Sequence, residues 1–236
     1  MTIKAVSFDV WNTLLRLDSI FNAMAKEIAI LIDRPFENVY RDILDSYLKA
    51  KELRKRGELD EKNIVFQTQN LIANSVGIEV DIVRRGIARA FNSIDTSSIV
   101  FNDVLNTLEK IKQFNIKIGI LGNTLFWPSA YTRLILEKSG VANYIDIQVY
   151  ADEVGISKPD RRIFIYLCKM LKVEPKEVIH VGDGVVEDIG GAISAGMKAI
   201  LIDRNRDSVS VLKDLGTAII PSLNKVIELI DYFSKI

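Results

Sequence analysis

The chain has one cysteine and one histidine in 236 residues, and each shortage excludes a kind of chemistry. A lone Cys168 cannot form an intramolecular disulfide and fits a reducing compartment. It stands beside Leu167 in a helical pattern, so it reads as a buried, inert thiol. His180 lies inside an apolar, strand-like run and reads as a core residue or one that supports a site from behind. Ser–His and Cys–His catalytic arrangements therefore have almost nothing to work with. Net charge is also absent. The 31 basic and 31 acidic residues cancel, so no global field draws the chain to nucleic acid or to anionic lipid. No apolar run approaches the roughly 18 residues a membrane span needs. The first strand begins within a few residues of Met1, so no signal peptide is expected and the cytoplasm is the expected location. What is present is an ordinary globular composition, 48% hydrophobic and 26% charged, in a length suited to one large domain or one carrying a smaller insertion.

The first strand is Ile3 to Asp9, with Val6 and Phe8 in a nearly uncharged run that suits burial on both faces. From Arg16 to Ser97 the pattern turns helical. Ile20, Phe21, Met24, Ile28, Leu31 and Ile32 mark one helix, stopped by Pro35. Val39, Tyr40, Ile43, Leu44, Tyr47 and Leu48 mark a second that runs on into Arg54. Ile64 to Val76 makes a third, ended by Gly77, and Asp81 to Phe91 a fourth. Four helices without a strand predict a small all-α unit inserted after the first strand. Beyond Phe101 helices and strands alternate. Strands are expected at Ile116–Leu121, Tyr144–Tyr150, Val178–Asp183, Lys198–Ile202 and near Ile219. A helix is expected over Asp160–Leu171 with Ile163, Leu167 and Met170 inward, another up to Gly196, and a short one between the last two strands. Such alternation means βαβ crossovers, hence an α/β fold with a Rossmann-like parallel sheet. The expected domains are residues 1–15 with 98–236 as the α/β core, and 16–97 as the helical insertion. The dense charge run over residues 49–62 reads as a solvated helix end and turn, with Arg54 or Arg56 reaching a substrate as the minority reading.

Polar groups gather where apolar strands stop. Asp9 ends the first strand and Thr13 follows four residues later. The second strand runs into Gly122-Asn123-Thr124, the third into Ser157-Lys158-Pro159, and the fourth into Gly182-Asp183, with Asp188 five residues on. In an open parallel sheet the carboxyl ends of the strands border the ligand crevice. Each group also has a plainer reading: Lys158 as a loop lysine, Asp183 and Asp188 as acids at the first turn of a helix. Acids crowded at one rim repel one another unless a cation lies between them, and a hard divalent ion takes oxygen ligands.

The set Asp9…Thr13, Gly122-Asn123, Ser157-Lys158-Pro159 and Gly182-Asp183…Asp188 resembles the haloacid dehalogenase superfamily. Residues 152–160 and 181–197 are the most specific parts of the match, which covers nearly all of the chain outside 16–97. The insertion is similar to that family's helical cap. The resemblance implies a hydrolase in which Asp9 is the nucleophile and forms an aspartyl-phosphate. Lys158 would neutralise charge, and Thr13, Asn123 and Thr124 would contact the substrate. Mg²⁺ would be held by Asp9, the Trp11 carbonyl and Asp183, with Asp188 direct or through water. A small phosphorylated molecule is the implied partner.

Two positions depart from the phosphatase pattern. Trp11 stands where most of the family's phosphatases have a second aspartate as general acid/base, and Gly122 stands where a hydroxyl is usual. The dehalogenase branch also lacks that aspartate and carries tyrosine there, but needs no metal and does not keep the Gly-Asp…Asp pattern. A Mg²⁺-dependent phosphatase is therefore the expectation. The alternatives are a metal-independent 2-haloacid dehalogenase and a degenerate member that binds a phosphorylated ligand or a partner without turnover.

Overall fold

The structure is a computed structural model that describes residues 2–235. The short first strand β1 (Ala5–Phe8) is followed by helices α1 (Leu17–Ile32), α2 (Phe36–Lys55), α3 (Ile64–Val76) and α4 (Val80–Ser93). One further turn of helix, α5 (Thr96–Ile99), was not foreshadowed by any apolar period; Asp95 caps it by accepting from the Ser97 N–H. Then come α6 (Val104–Gln113), β2 (Lys117–Gly122), α7 (Ser129–Lys138), β3 (Ile147–Tyr150), α8 (Ala151–Val154) and α9 (Arg161–Leu171). The chain closes with β4 (Val178–Gly182), α10 (Gly191–Ser194), β5 (Lys198–Ile202), β6 (Ser210–Leu212), β7 (Thr217–Ile220) and α11 (Val226–Ser234).

The seven strands form one sheet in the order β3-β2-β1-β4-β5-β7-β6, parallel throughout except for the edge strand β6. The α/β, Rossmann-like expectation is thus met. The order reverses at β1, with β2 on one side and β4 on the other, and such a switch point is where a crevice opens. Alternation along the strands assigns the faces. Val6, Phe8, Ile118, Ile120, Ile179 and Val181 pack with Val104, Leu108 and Ile111 of α6 and with Val226 and Phe233 of α11. Ala5, Leu121 and Val178 pack on the other face against Ile163, Phe164 and Leu167 of α9.

Several local expectations need correction. The third strand begins at Ile147 rather than Tyr144, because residues 141–144 wind into a 3₁₀ turn. The segment between β5 and β7 is not a short helix: residues 210–212 pair antiparallel with β7, and only 213–215 wind into a 3₁₀ turn. No regular α-helix runs from Asp183 to Gly196. Residues 185–190 form a wide π-type turn before the short α10, in a stretch where Gly184, Gly190 and Gly191 weaken helical preference. Met170 is 45% exposed, whereas Ile163 and Leu167 face the core as expected. No helix among the described residues is long and apolar enough to cross a membrane.

The four inserted helices share their core with the sheet through aromatic rings. Trp127, just before α7, meets Trp11 at 5.1 Å, Phe91 at 5.2 Å and Phe21 at 6.2 Å between ring centroids. Polar contacts cross the same junction. Arg54, Thr68 and Gln69 donate to the carbonyls of Thr124, Leu125 and Phe126 at 2.9, 2.8 and 2.9 Å. The segment that follows β2 is therefore held by the inserted helices α2 and α3.

Candidate active site

The site begins with β1 and β4 lying side by side in register, Ser7 opposite His180 and Phe8 opposite Val181. The Asp9 N–H continues that ladder by donating to the Val181 carbonyl. Side chains two apart on a strand share a face, so Asp9 emerges above Ser7, at the rim. The chain then turns sharply. Asn12 adopts a left-handed backbone, which asparagine tolerates better than most residues, and the N–H groups of Leu14 and Leu15 return to the Val10 carbonyl. Arg204 fixes this loop from behind: its guanidinium lies 3.7 Å from the centre of the Phe101 ring, pairs with Asp103 and donates to the Thr13 carbonyl at 2.9 Å.

The polar groups expected at the rim meet around one lysine. The Lys158 ammonium donates to Asp9 Oδ1 at 2.5 Å and to Asp188 Oδ1 at 2.7 Å, and the lysine is only 2% exposed. Asn123 uses both ends of its amide on the backbone of Lys158, accepting its N–H at 2.9 Å and donating to its carbonyl at 3.1 Å. That places Asn123 as the clamp that aims the lysine. Asp183 stands nearer solvent and accepts from the Asn12 amide at 3.3 Å. Trp11, Asn123, Lys158, Asp183 and Asp188 all line, with Asp9, a cavity of about 370 Å³. Thr13 and Thr124 do not line it; both are buried, and each hydroxyl lacks a hydrogen-bond partner among the described residues.

Asp188 is the most thoroughly held of the acids. Its Oδ1 meets both Lys158 and His180 Nε2, and its Oδ2 accepts the Gly184 N–H at 2.9 Å. Gly182 makes this possible, since a Cβ there would stand 2.3 Å from the Asp188 Cγ. Gly122 answers to a similar constraint. Its Cβ would fall 2.6 Å from the Tyr150 ring, so the missing hydroxyl at that position has a steric cause.

Electrostatics separate the acids. Burial pushes the Asp9 carboxyl up to about 7, with Lys158 pulling it back and Asp188 and Asp183 adding to the rise. Burial works the same way on Asp188, but Lys158 and the His180 hydrogen bond outweigh it and hold Asp188 well below the usual carboxylate range. Burial opposes the Lys158 charge, and Asp188 and Asp9 more than restore it. Burial also raises the Cys168 thiol to about 12, consistent with the inert role expected of it. Carboxylate oxygens of Asp9, Asp183 and Asp188 all lie within 4.8 Å of one another. Three acids and one lysine leave an excess of negative charge in a donor set made of oxygen, which is what a hard divalent cation takes. The cluster could hold such an ion.

Part of the charge run over residues 49–62 is not a solvated face. Arg54 and Glu61 form a two-point ion pair at 2.8 and 2.7 Å, 14% and 21% exposed, in the cavity wall, and Glu61 also accepts from the Ser157 hydroxyl at 2.8 Å. Arg56 stays in solvent and pairs with Glu52 and Glu58. Sequence reasoning also left Ser7 without a role. Its signal was a hydroxyl inside an apolar strand, two residues before Asp9 and on the same face.

The family model for haloacid dehalogenase-like hydrolases matches residues 3–196. The chain belongs to the haloacid dehalogenase-like hydrolases. One relative within the family is a glyceraldehyde 3-phosphate phosphatase of Methanothermobacter thermautotrophicus, 30% identical over 204 residues, covering 85% of this chain and 86% of that one. Another is the (S)-2-haloacid dehalogenase 4A of Burkholderia cepacia, 31% identical over 207 residues, with 86% and 84% covered. Among solved structures, a phosphatase of the same superfamily from Thermococcus onnurineus superposes with a TM-score of 0.65 at 24% identity, over 97% of this chain and 98% of that one. This last likeness bears on the fold alone. Membership of the haloacid dehalogenase-like hydrolases makes the protein a hydrolase.

Proposed function

We propose that the protein is a Mg²⁺-dependent phosphatase that acts on a small phosphorylated substrate through an aspartyl-phosphate on Asp9. The observation that carries this reading is the acidic rim: three carboxylates with oxygens within 4.8 Å of one another, two of them bonded to Lys158. A metal-free dehalogenase has no use for that excess of negative charge. A relative of similar coverage named as a phosphatase supports the same choice. Trp11, together with the Burkholderia relative, favours the second reading, a 2-haloacid dehalogenase.

Asp9 has one oxygen bonded to Lys158, while its Oδ2 accepts no hydrogen bond from the described residues and is the oxygen left for attack. The Oδ2–P bond forms as the bond from phosphorus to the ester oxygen breaks. The leaving alkoxide takes a proton from solvent water, and a water then splits the aspartyl-phosphate to free Asp9 and phosphate, returning a proton to solvent. The Lys158 ammonium stays beside Asp9 Oδ1 and offsets the charge that gathers on the phosphoryl oxygens. Asp9, Asp183 and the Trp11 carbonyl would hold Mg²⁺, with Asp188 direct or through water, and the ion would supply further charge neutralisation at the phosphoryl group. Residues 16–97 form the cap and residues 1–15 with 98–236 the core in this reading, and the Arg54–Glu61 pair with its contacts to Thr124 and Ser157 joins the two beside the cavity. The single buried cysteine suits a cytoplasmic location.

Calorimetric titration tests the metal. Mg²⁺ is expected to bind the wild type and to bind Asp183→Asn about 10-fold more weakly or worse, because one of the charged oxygen donors is gone. Equal affinities, or no binding to either protein, would refute the metal assignment.

Trp11 sets a second expectation. An indole N–H donates a hydrogen bond but cannot shuttle a proton at neutral pH, and a missing general acid costs roughly 10²–10⁴-fold. A phenolate leaves without protonation and an alkoxide does not. The kcat/KM for an aryl phosphate should therefore be roughly 10²-fold higher than for an alkyl phosphate of similar size. Equal kcat/KM values for the two would show that another group supplies the proton.

A further inference from the structure

We infer that His180 is a positioning residue, and that a buried relay Ser7–His180–Asp188 fixes the carboxylate that steers Lys158 onto Asp9. The inference rests on the phosphatase reading only for its activity measurements. Ser7 Oγ lies 2.8 Å from His180 Nδ1, and His180 Nε2 lies 3.0 Å from Asp188 Oδ1. The chain continues through Lys158 to Asp9. Ser7 and His180 are wholly buried and directly opposed in the β1–β4 register, while the Phe164 ring meets the imidazole edge-on at 5.1 Å.

These contacts fix the direction of the hydrogen bonds to Asp188. Asp188 is ionised, since its Oδ1 accepts from the Lys158 ammonium and its Oδ2 from the Gly184 N–H. An ionised carboxylate only accepts, so His180 Nε2 carries a proton and donates it. Nδ1 then faces the Ser7 hydroxyl at 2.8 Å. Asp188 is thus held by three donors from three parts of the chain: the loop before α9, β4, and the turn after β4. The absence of a side chain at Gly182 is what lets Asp188 lie there. Removing one of the three donors leaves the carboxylate with fewer fixed contacts. The Lys158 ammonium would then lose its fixed line to Asp9.

Because His180 is the only histidine in the chain, its ring signals need no assignment. Nitrogen NMR of the uniformly labelled protein at neutral pH should show a proton on Nε2, protected from exchange. A ring with no proton on Nε2 would overturn the relay whatever the activity. Two variants then separate positioning from general support of the fold. Glutamine can place an N–H near the position of Nε2, whereas asparagine reaches only as far as Nδ1, toward Ser7. On an aryl phosphate, His180→Gln should keep kcat within about 3-fold of wild type, and His180→Asn should lose about 10-fold or more, with KM little changed in both. Equal losses in the two variants, following their thermal stability, would overturn the positioning role. A wild type that hydrolyses no phosphate would count against the proposed function, and the NMR result would still decide the relay.

Discussion

Replacing Lys158 by methionine is expected to destabilise the metal-free protein by about 3–5 kcal/mol, the usual cost of stripping the partner from a buried charge. The size follows from burial. The ammonium bridges Asp9 and Asp188, whose side chains are themselves 12% and 3% exposed. Methionine fills a similar volume but leaves two largely buried carboxylates facing each other without their shared cation. An exposed pair such as Lys235–Asp231, at 71% and 68% exposure, gives the contrast: breaking it should cost under about 1 kcal/mol. Urea unfolding with linear extrapolation reads both differences. A Lys158→Met protein within about 1 kcal/mol of wild type would show that the ammonium does not hold the two acids.

Asp9→Asn is expected to remove turnover, by about 10⁴-fold or more, which is the scale on which loss of a nucleophile acts. The fold should survive it. The amide keeps an oxygen for the Lys158 ammonium, and the lost charge is one that burial already disfavours, since the Asp9 carboxyl is pushed up to about 7. The two effects oppose each other, so stability should change far less than it does in Lys158→Met. Loss of activity with an intact fold separates a reacting group from a structural one. Hydrolysis that survives in Asp9→Asn would rule out the covalent route.

How much was legible in the sequence depended on the range of the interactions. Asp9, Asn123 and Asp183 could be read because each stands where an apolar strand ends, and strand ends of a parallel sheet share a rim; Lys158 lies beyond α8 and was legible through its Ser157-Lys158-Pro159 setting. Side-chain commitments across the chain could not be read. That Asn123 also clamps the backbone of Lys158 shows only once the loop holding Lys158 folds against it. Arg54 and Glu61 sit in a mixed charge run that resembles a solvated turn, and only the packing of α2 and α3 over the segment after β2 draws them into the cavity wall. The Ser7–His180 pair needs the β1–β4 register, which joins residues 173 apart. Met170 follows the helical period of α9, yet the α9 stripe that meets the sheet is narrower than the apolar pattern and leaves it in solvent. The β6 edge strand is short and follows a polar loop, so nothing in its local pattern separates it from a helical turn.

The central claim is phosphoryl transfer to Asp9 at an acidic, metal-binding rim. The measurement that tests it most directly is a product assay on the purified wild type and Asp9→Asn, offering an aryl phosphate and a 2-haloacid, each with Mg²⁺ and with a chelator. The account predicts phosphate release by the wild type with Mg²⁺, none with chelator, none from Asp9→Asn, and no halide under any condition. Halide release by the wild type without metal, and no phosphate from any combination, would contradict it.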